Sequence, residues 1–407
     1  MERFGNIKGG KVIGVGAYGC VFSPPLPCKE GKQPTDDMVS KLMETYDAEK
    51  EMSEISRVRE RLGEIPNAGR YFGGFDTYIC EAESITPEDV RGYKCDIGNI
   101  TSLINDSRSP LELPELSLLQ QKDLGKTVTD YLANITSEED LKSFFQNMVE
   151  LLMKGIIPMN NIGIYHLDIK SENVLVNDNM PVLIDWGLSY LTPDSNPITD
   201  ASTRGKRYDP NNTNVPMTAH CMFNEPLVAR AFYDTADNIG GFLDSNGLSG
   251  VQTVRTIIHQ LYHNKYDKDH MRYLLGGIIN PLIEVMNQYY SEKGELYPYN
   301  SSEMLVSQYL TRQRDLYSMN GRVDHNKLYL DFYYNVDIWG WVMTFNPFLR
   351  SEISGADGSL SKFLSDTKRR KIRLICAKMI EYLFVCETGK YDISVIVAFA
   401  ENAINIL

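Results

Sequence analysis

A glycine-rich stretch and a lysine beyond it are spaced as groups that handle phosphate. Gly14-Val15-Gly16-Ala17-Tyr18-Gly19-Cys20-Val21 follows the pattern G-x-G-x-x-G-x-V. Glycines at these positions let backbone N–H groups approach phosphate oxygens closely, because no Cβ stands in the way. The same glycines serve equally well as simple turn glycines. A dinucleotide fingerprint is the poorer reading: its third glycine opens a helix, and Phe22-Ser23-Pro24-Pro25 cannot. Lys41 follows in the strand-like run Met38-Val39-Ser40-Lys41-Leu42-Met43, ahead of a helical pattern that carries Glu49, Glu51 and Glu54. A lysine paired with one of these carboxylates would neutralise phosphate charge. A lone strand lysine is ordinarily a solvated surface residue, and the order of glycine loop, lysine and acidic helix is what singles this one out.

The most specific stretch is His166-Leu167-Asp168-Ile169-Lys170-Ser171-Glu172-Asn173, followed by Val174-Leu175-Val176 and then Ile184-Asp185-Trp186-Gly187. It resembles the catalytic loop H-R-D-x-K-x-x-N and the metal motif D-F-G of eukaryotic-type Ser/Thr protein kinases. Asp337-Ile338-Trp339-Gly340 resembles the D-x-W-S/G signature that opens the central helix of the large lobe, whose aspartate supports the catalytic loop. The motif order matches across most of the chain.

This resemblance implies ATP and Mg²⁺ as cofactors. It makes Asp168 the base that accepts the substrate hydroxyl's proton, and Asn173 and Asp185 the metal ligands. Lys170 would contact the transferred phosphate and favours Ser/Thr over Tyr as acceptor. Gly14, Gly16, Gly19, Val21 and Lys41 would hold the nucleotide. Glu51 is the expected partner of Lys41, since Met52, Ile55 and Val58 follow it at the family's inward-facing offsets; Glu54 is the runner-up. Phosphoryl transfer asks for positioning and charge neutralisation, so hard oxygen ligands and one fixed carboxylate suffice.

Several positions depart from the family. Leu167 replaces the arginine that pairs with a phosphorylated activation loop, which argues against control through that contact. Trp186 stands for phenylalanine and Val39 for alanine. Asn224-Glu225-Pro226 is a poor match to A-P-E. Ser202 and Thr203, near Arg204, Lys206 and Arg207, fit an ordinary polar loop better than autophosphorylation sites. The long inserted region resembles divergent kinases of large DNA viruses, which would place the enzyme in a host cell.

The elements that must position these groups are legible as periodicities. Lys11 to Val21 reads as strand, turn and strand; a third strand over 38–43 leads into a helix over Thr45 to Leu62. Tyr78-Ile79-Cys80 and Leu116 to Leu119 are further strands. Thr136-Ser137-Glu138-Glu139 caps an amphipathic helix through Leu152, and strands follow at Val174–Val176 and Val182–Ile184. Helical patterns then dominate: Val251 to Tyr262, Met271 to Tyr290, Ser302 to Leu316, around Ile338 to Phe345, and Asp366 to Phe384. The expected fold is α+β and bilobal, kinase-like: a small β-rich N-lobe over 1–122, a large helical C-lobe over 123–407, and a long helical insertion at about 227–330.

With 407 residues, 43% apolar and 23% charged, the chain is a folded globular protein. A net charge of −13 argues against nucleic acid as a partner. It suits basic protein substrates and, more simply, serves solubility. Seven scattered cysteines with no C-x-x-C pair suggest reduced thiols rather than a disulfide framework or zinc site. With no signal-like start and no membrane-length apolar run, the expected setting is intracellular, cytoplasmic and off the membrane. The longest apolar run, Ile393 to Ala400 apart from Ser394, reads as a buried helix. Nothing fixes the oligomeric state.

The leading function is therefore a protein kinase acting on Ser/Thr hydroxyls. The alternative is a catalytically silent, kinase-like nucleotide-binding scaffold, against which Lys41, Asp168, Asn173 and Asp185 are all intact. A small-molecule phosphotransferase is a third reading, disfavoured by Lys170.

Overall fold

The computed structural model describes residues 10–15, 19–83, 116–192, 196–197, 273–319, 322–323 and 325–407. Gly16, the helix expected from Val251, the stretch 202–207 and the Asn224-Glu225-Pro226 motif lie outside the described residues, as does the inserted region up to residue 272. The fold is mixed α and β, with an antiparallel sheet in the N-terminal part. Contacts divide the chain into two compact units, residues 1–64 with 73–125, and residues 65–72 with 126–407.

The first unit is built on five antiparallel strands: β1 (Lys11–Val15), β2 (Cys20–Ser23), β3 (Met38–Glu44), β4 (Thr77–Cys80) and β5 (Leu116–Lys122), in the order β1-β2-β3-β5-β4. Central β3 is buried on both faces. Met38, Val39, Leu42 and Met43 fill it with apolar side chains, and its fully buried polar group, Ser40, is satisfied. The Ser40 hydroxyl accepts from Leu26 N–H at 2.7 Å and donates to Gln120 Oε1 at 2.7 Å; Gln120 Nε2 donates to Leu26 O at 2.8 Å. A buried network closed in this way avoids the penalty of an unpaired polar group. The helix Thr45–Leu62 follows β3 and turns Ala48, Glu51, Ile55, Val58 and Leu62 inward, spaced three or four residues apart.

Cys28 and Cys80 are joined as a disulfide, with Cα atoms 5.7 Å apart, and Cys20 is disulfide-bonded as well. This corrects the expectation of reduced thiols and removes the cysteine argument for a reducing, intracellular setting. The partners are 52 residues apart in sequence. They meet because Lys29 N–H donates to Glu81 O and Glu83 N–H to Pro27 O, an antiparallel bridge that no C-x-x-C spacing could announce. Cys376 and Cys386 are buried free thiols. In the chain-entropy view, closing a loop of this length stabilises by about 4 kcal/mol. Cys28→Ser is accordingly expected to lower the melting temperature by several degrees, and added reductant, which also opens the bond at Cys20, should lower wild type at least as far. Identical melting of wild type with and without reductant would remove the bond from the stability of this unit.

The second unit opens with residues 65–72 and a three-stranded sheet of β6 (Lys126–Thr127), β8 (Val174–Asn177) and β9 (Met180–Leu183), ordered β6-β8-β9. A two-stranded pair joins β7 (Ile164–Tyr165) to β10 (Tyr190–Leu191). The helix Glu138–Glu150 starts at Ser137, whose Oγ accepts from Asp140 N–H at 3.0 Å and donates back to Asp140 Oδ2 at 2.6 Å. It continues as a π turn over Leu151–Ile156. There the ring of Tyr71 packs against Gly155, and Glu150 takes hydrogen bonds from Arg70, Lys154 and Tyr71. The core beneath is aromatic: Phe144, Phe145, Trp341, Phe345 and Phe348 pack against one another, and Trp341 Nε1 donates to Met148 O at 2.9 Å.

Helices Asn280–Glu292 and Ser302–Tyr317, inside the range read as an insertion, pack on helix Asp366–Val385. Two expectations change here. Asp337 does not open its helix: the helix runs His325–Met343, twelve residues earlier than the motif implied, because the apolar pattern continues through Phe332, Tyr333 and Val336. The run from Ile393 is half-buried rather than buried. In helix Ile393–Ile406 only Ile396, Ala400 and Ala403 are fully covered, a one-sided pattern with helical spacing. Among the described residues no helix is long and apolar enough to cross a membrane.

Candidate active site

In the first unit the lysine of β3 meets a carboxylate of the following helix. Lys41 Nζ lies 3.0 and 2.7 Å from the two oxygens of Glu51, with both side chains largely buried. Glu54 is turned away and held by Arg57 at 3.0 Å. Glu51 shares the inward face with Ala48 and Ile55, and Glu54, three residues on, lies outside it. Val21 on β2 and Leu119 on β5 flank Lys41. Of the glycines, Gly14 sits at an irregularity of β1 with room beside it, whereas a Cβ on Gly19 would stand 2.6 Å from Leu42 O. Gly19 is thus required by the close approach of β2 to β3, whatever it does for a ligand. Removing the partner of a sheltered charge is costly, so Glu51→Gln should destabilise by about 1.5–3 kcal/mol. Glu54→Gln, at an exposed i,i+3 pair, should change stability by no more than about 0.5 kcal/mol. Thermal melting of the two variants side by side checks this, and equal shifts would contradict it.

In the second unit the loop between β7 and β8 gathers the remaining groups. Asp168 is buried; its Oδ2 accepts from Lys170 Nζ at 2.7 Å and from Asn173 Nδ2 at 2.8 Å. Burial pushes its carboxyl up to about 6 against the pull of Lys170. Lys170 is held above the ordinary lysine value: burial alone would lower it, and the carboxylates of Asp168, Asp185 and Glu172 outweigh that. Asn173 Nδ2 also donates to Asp168 O at 2.8 Å, so both its protons point into the loop and Oδ1 is the oxygen left for a cation. Asp185 follows β9, close enough for its charge to act on Asp168, Lys170 and His166.

The loop is fixed from below by Asp337. Its Oδ1 accepts from Leu167 N–H at 2.9 Å, and its Oδ2 from His166 N–H at 2.9 Å and Asn160 Nδ2 at 2.7 Å. Burial pushes this carboxyl up, and the three donors work against the shift. One turn further along the helix, a Cβ on Gly340 would meet Ile169 O at 2.6 Å, so glycine lets the helix touch the loop. Burial lowers His166; its Nδ1 accepts from Asp168 N–H at 3.3 Å, which leaves Nε2–H to donate to Ile184 O at 2.9 Å. The Trp186 ring packs edge-on against His166 at 4.9 Å and against Phe72 at 5.6 Å. Leu167 and Asp185 both adopt the left-handed backbone, with φ of 65° and 68°, which a non-glycine residue keeps only where its surroundings enforce it.

Oxygen donors of the kind that Asn173 and Asp185 carry suit a hard divalent cation. Among the described residues no three His, Cys, Asp or Glu side chains converge. Mg²⁺ bound with a nucleotide takes one or two protein oxygens and completes its shell with phosphate and water, so the two present fit it. Asn160 and Phe72 entered the site unannounced by any motif, whereas Gly340 lay inside one.

No protein-family model matches the chain. A stretch of 72 residues, 17% of the chain, is 42% identical to "Cyclin-dependent kinase F-3" of Oryza sativa subsp. japonica, and it covers 16% of that protein. The chain thus resembles a cyclin-dependent kinase over a short segment.

Proposed function

We propose that this protein transfers the γ-phosphate of ATP to Ser or Thr hydroxyls of protein substrates. The observation that carries the reading is the buried carboxylate of Asp168, fixed by Lys170 and Asn173 in a loop that Asp337 holds. Asp168 accepts the proton of the attacking hydroxyl, and its raised pKa suits a base that must also release it. Lys170, paired with Asp168, would move to the transferred phosphate as charge develops there. Asn173 and Asp185 would hold Mg²⁺, which neutralises phosphate charge when bound. Gly14, Gly16, Gly19, Val21 and Lys41 serve the nucleotide, with Glu51 keeping Lys41 extended. The net charge of −13 favours basic protein substrates over nucleic acid.

The test is transfer of labelled γ-phosphate from Mg-ATP to basic and acidic proteins and to the chain itself. Label on Ser or Thr that Asp168→Asn abolishes supports the reading. Nucleotide binding with no transfer by wild type overturns it in favour of a silent scaffold.

A further inference from the structure

The left-handed turn at Asp185 has to be held by something, and the residues after it show what holds them. Ser189 closes the turn through N–H and Oγ, both donating to Trp186 O, at 3.0 and 2.7 Å. The next two residues form β10, with Tyr190 opposite Tyr165 and Leu191 opposite Ile164. Thr192 N–H extends the pairing to Gly163 O at 2.8 Å. Two residues of pairing form too short a ladder to stand alone.

What covers this ladder is helix His325–Met343. Tyr333 is buried, with its ring centroid 5.1 Å from Tyr165 and 5.9 Å from Tyr190, and Phe332 edges onto it at 5.0 Å. Leu167, the other left-handed residue, is 1% exposed in the same cluster with Tyr165, Phe332, Tyr333 and Val336, and Leu188 and Tyr190 pack against it. One ring therefore touches the strand leading into the catalytic loop and the strand leading away from Asp185.

We propose that Tyr333 is a positioning residue: its ring latches β10 to β7 and thereby holds the Asp185 turn against the catalytic loop. This rests on the kinase reading for its consequence, the placing of Asp185 toward Mg²⁺, but not for the latch itself. Both contacts with the two strands are ring to ring, so the ring carries the latch.

Hydrogen exchange of the full chain, with Tyr333→Ala and Tyr333→Phe, tests it. In Tyr333→Ala the amides of 189–192 should exchange at least about fivefold faster, the loss expected from two aromatic contacts. Helix Glu138–Glu150 should keep its protection, and Tyr333→Phe should match wild type. In the transfer assay the alanine variant should need more Mg²⁺ for half-maximal rate, and the phenylalanine variant should not. Unchanged exchange at 189–192 in Tyr333→Ala overturns the latch. Faster exchange with an unchanged Mg²⁺ requirement overturns its link to Asp185. Absence of transfer by wild type would instead count against the kinase reading, leaving the exchange result to judge the latch.

Discussion

Asp168→Asn is expected to lower phosphoryl transfer by about 10²–10⁴-fold, the usual worth of a positioned acid or base, with nucleotide binding nearly unchanged. The asparagine keeps the size of the side chain and can still accept a hydrogen bond from Lys170 or Asn173, which approach one oxygen at 2.7 and 2.8 Å. What it loses is the charge that takes up the hydroxyl's proton. Stability should not suffer much. Burial already works against the charged form of Asp168, and Lys170, about a third exposed, retains water when its partner is neutral. The measurement is labelled-phosphate turnover beside nucleotide affinity. Turnover equal to wild type would remove Asp168 from the mechanism, and loss of affinity equal to the loss of rate would make it a binding residue.

Elements whose cause is local were open to reading from sequence. The strands Lys11–Val15 and Cys20–Ser23, the helix Thr45–Leu62 and the cap at Ser137 each follow from periodicity or side-chain hydrogen bonding within a few residues. The strands Val174–Asn177 and Met180–Leu183 are nearly as plain. Groups whose role arises from distant contact were hidden. Cys28 and Cys80 are brought together by backbone pairing across 52 residues. Tyr333 gains its role from two strands more than 140 residues away in sequence, and a buried aromatic on a helix looks like any other core residue. Residues 65–72 pack with the second unit because Tyr71 fits Gly155 and Phe72 bridges Leu183, neither of which has a local signature. Asp337 was found through its motif, but its place deep within a helix, rather than at the start, depended on where apolar spacing happened to continue.

Asp337→Ala is the substitution expected to cost most in stability. The carboxylate is fully buried and serves three donors at once: the N–H groups of His166 and Leu167, and the amide of Asn160. Alanine leaves all three without an acceptor in an apolar surrounding, and each buried orphan costs about 1–3 kcal/mol, so the loss should exceed roughly 3 kcal/mol. Leu167 would also lose the bond that fixes its left-handed backbone, and with it the loop that carries Asp168. Asp337→Asn should fall between: it keeps one acceptor oxygen and turns an amide N–H toward a donor, sparing volume but not the network. Chemical denaturation should rank wild type above Asp337→Asn above Asp337→Ala. Because the lost bonds lie one and two residues before Asp168, turnover of folded Asp337→Asn should drop as well. Asp168→Asn, by contrast, loses rate without stability. A variant of Asp337 that melts like wild type would mean that the loop is held by its apolar neighbours alone, with Leu167 in its cluster sufficient to keep the turn.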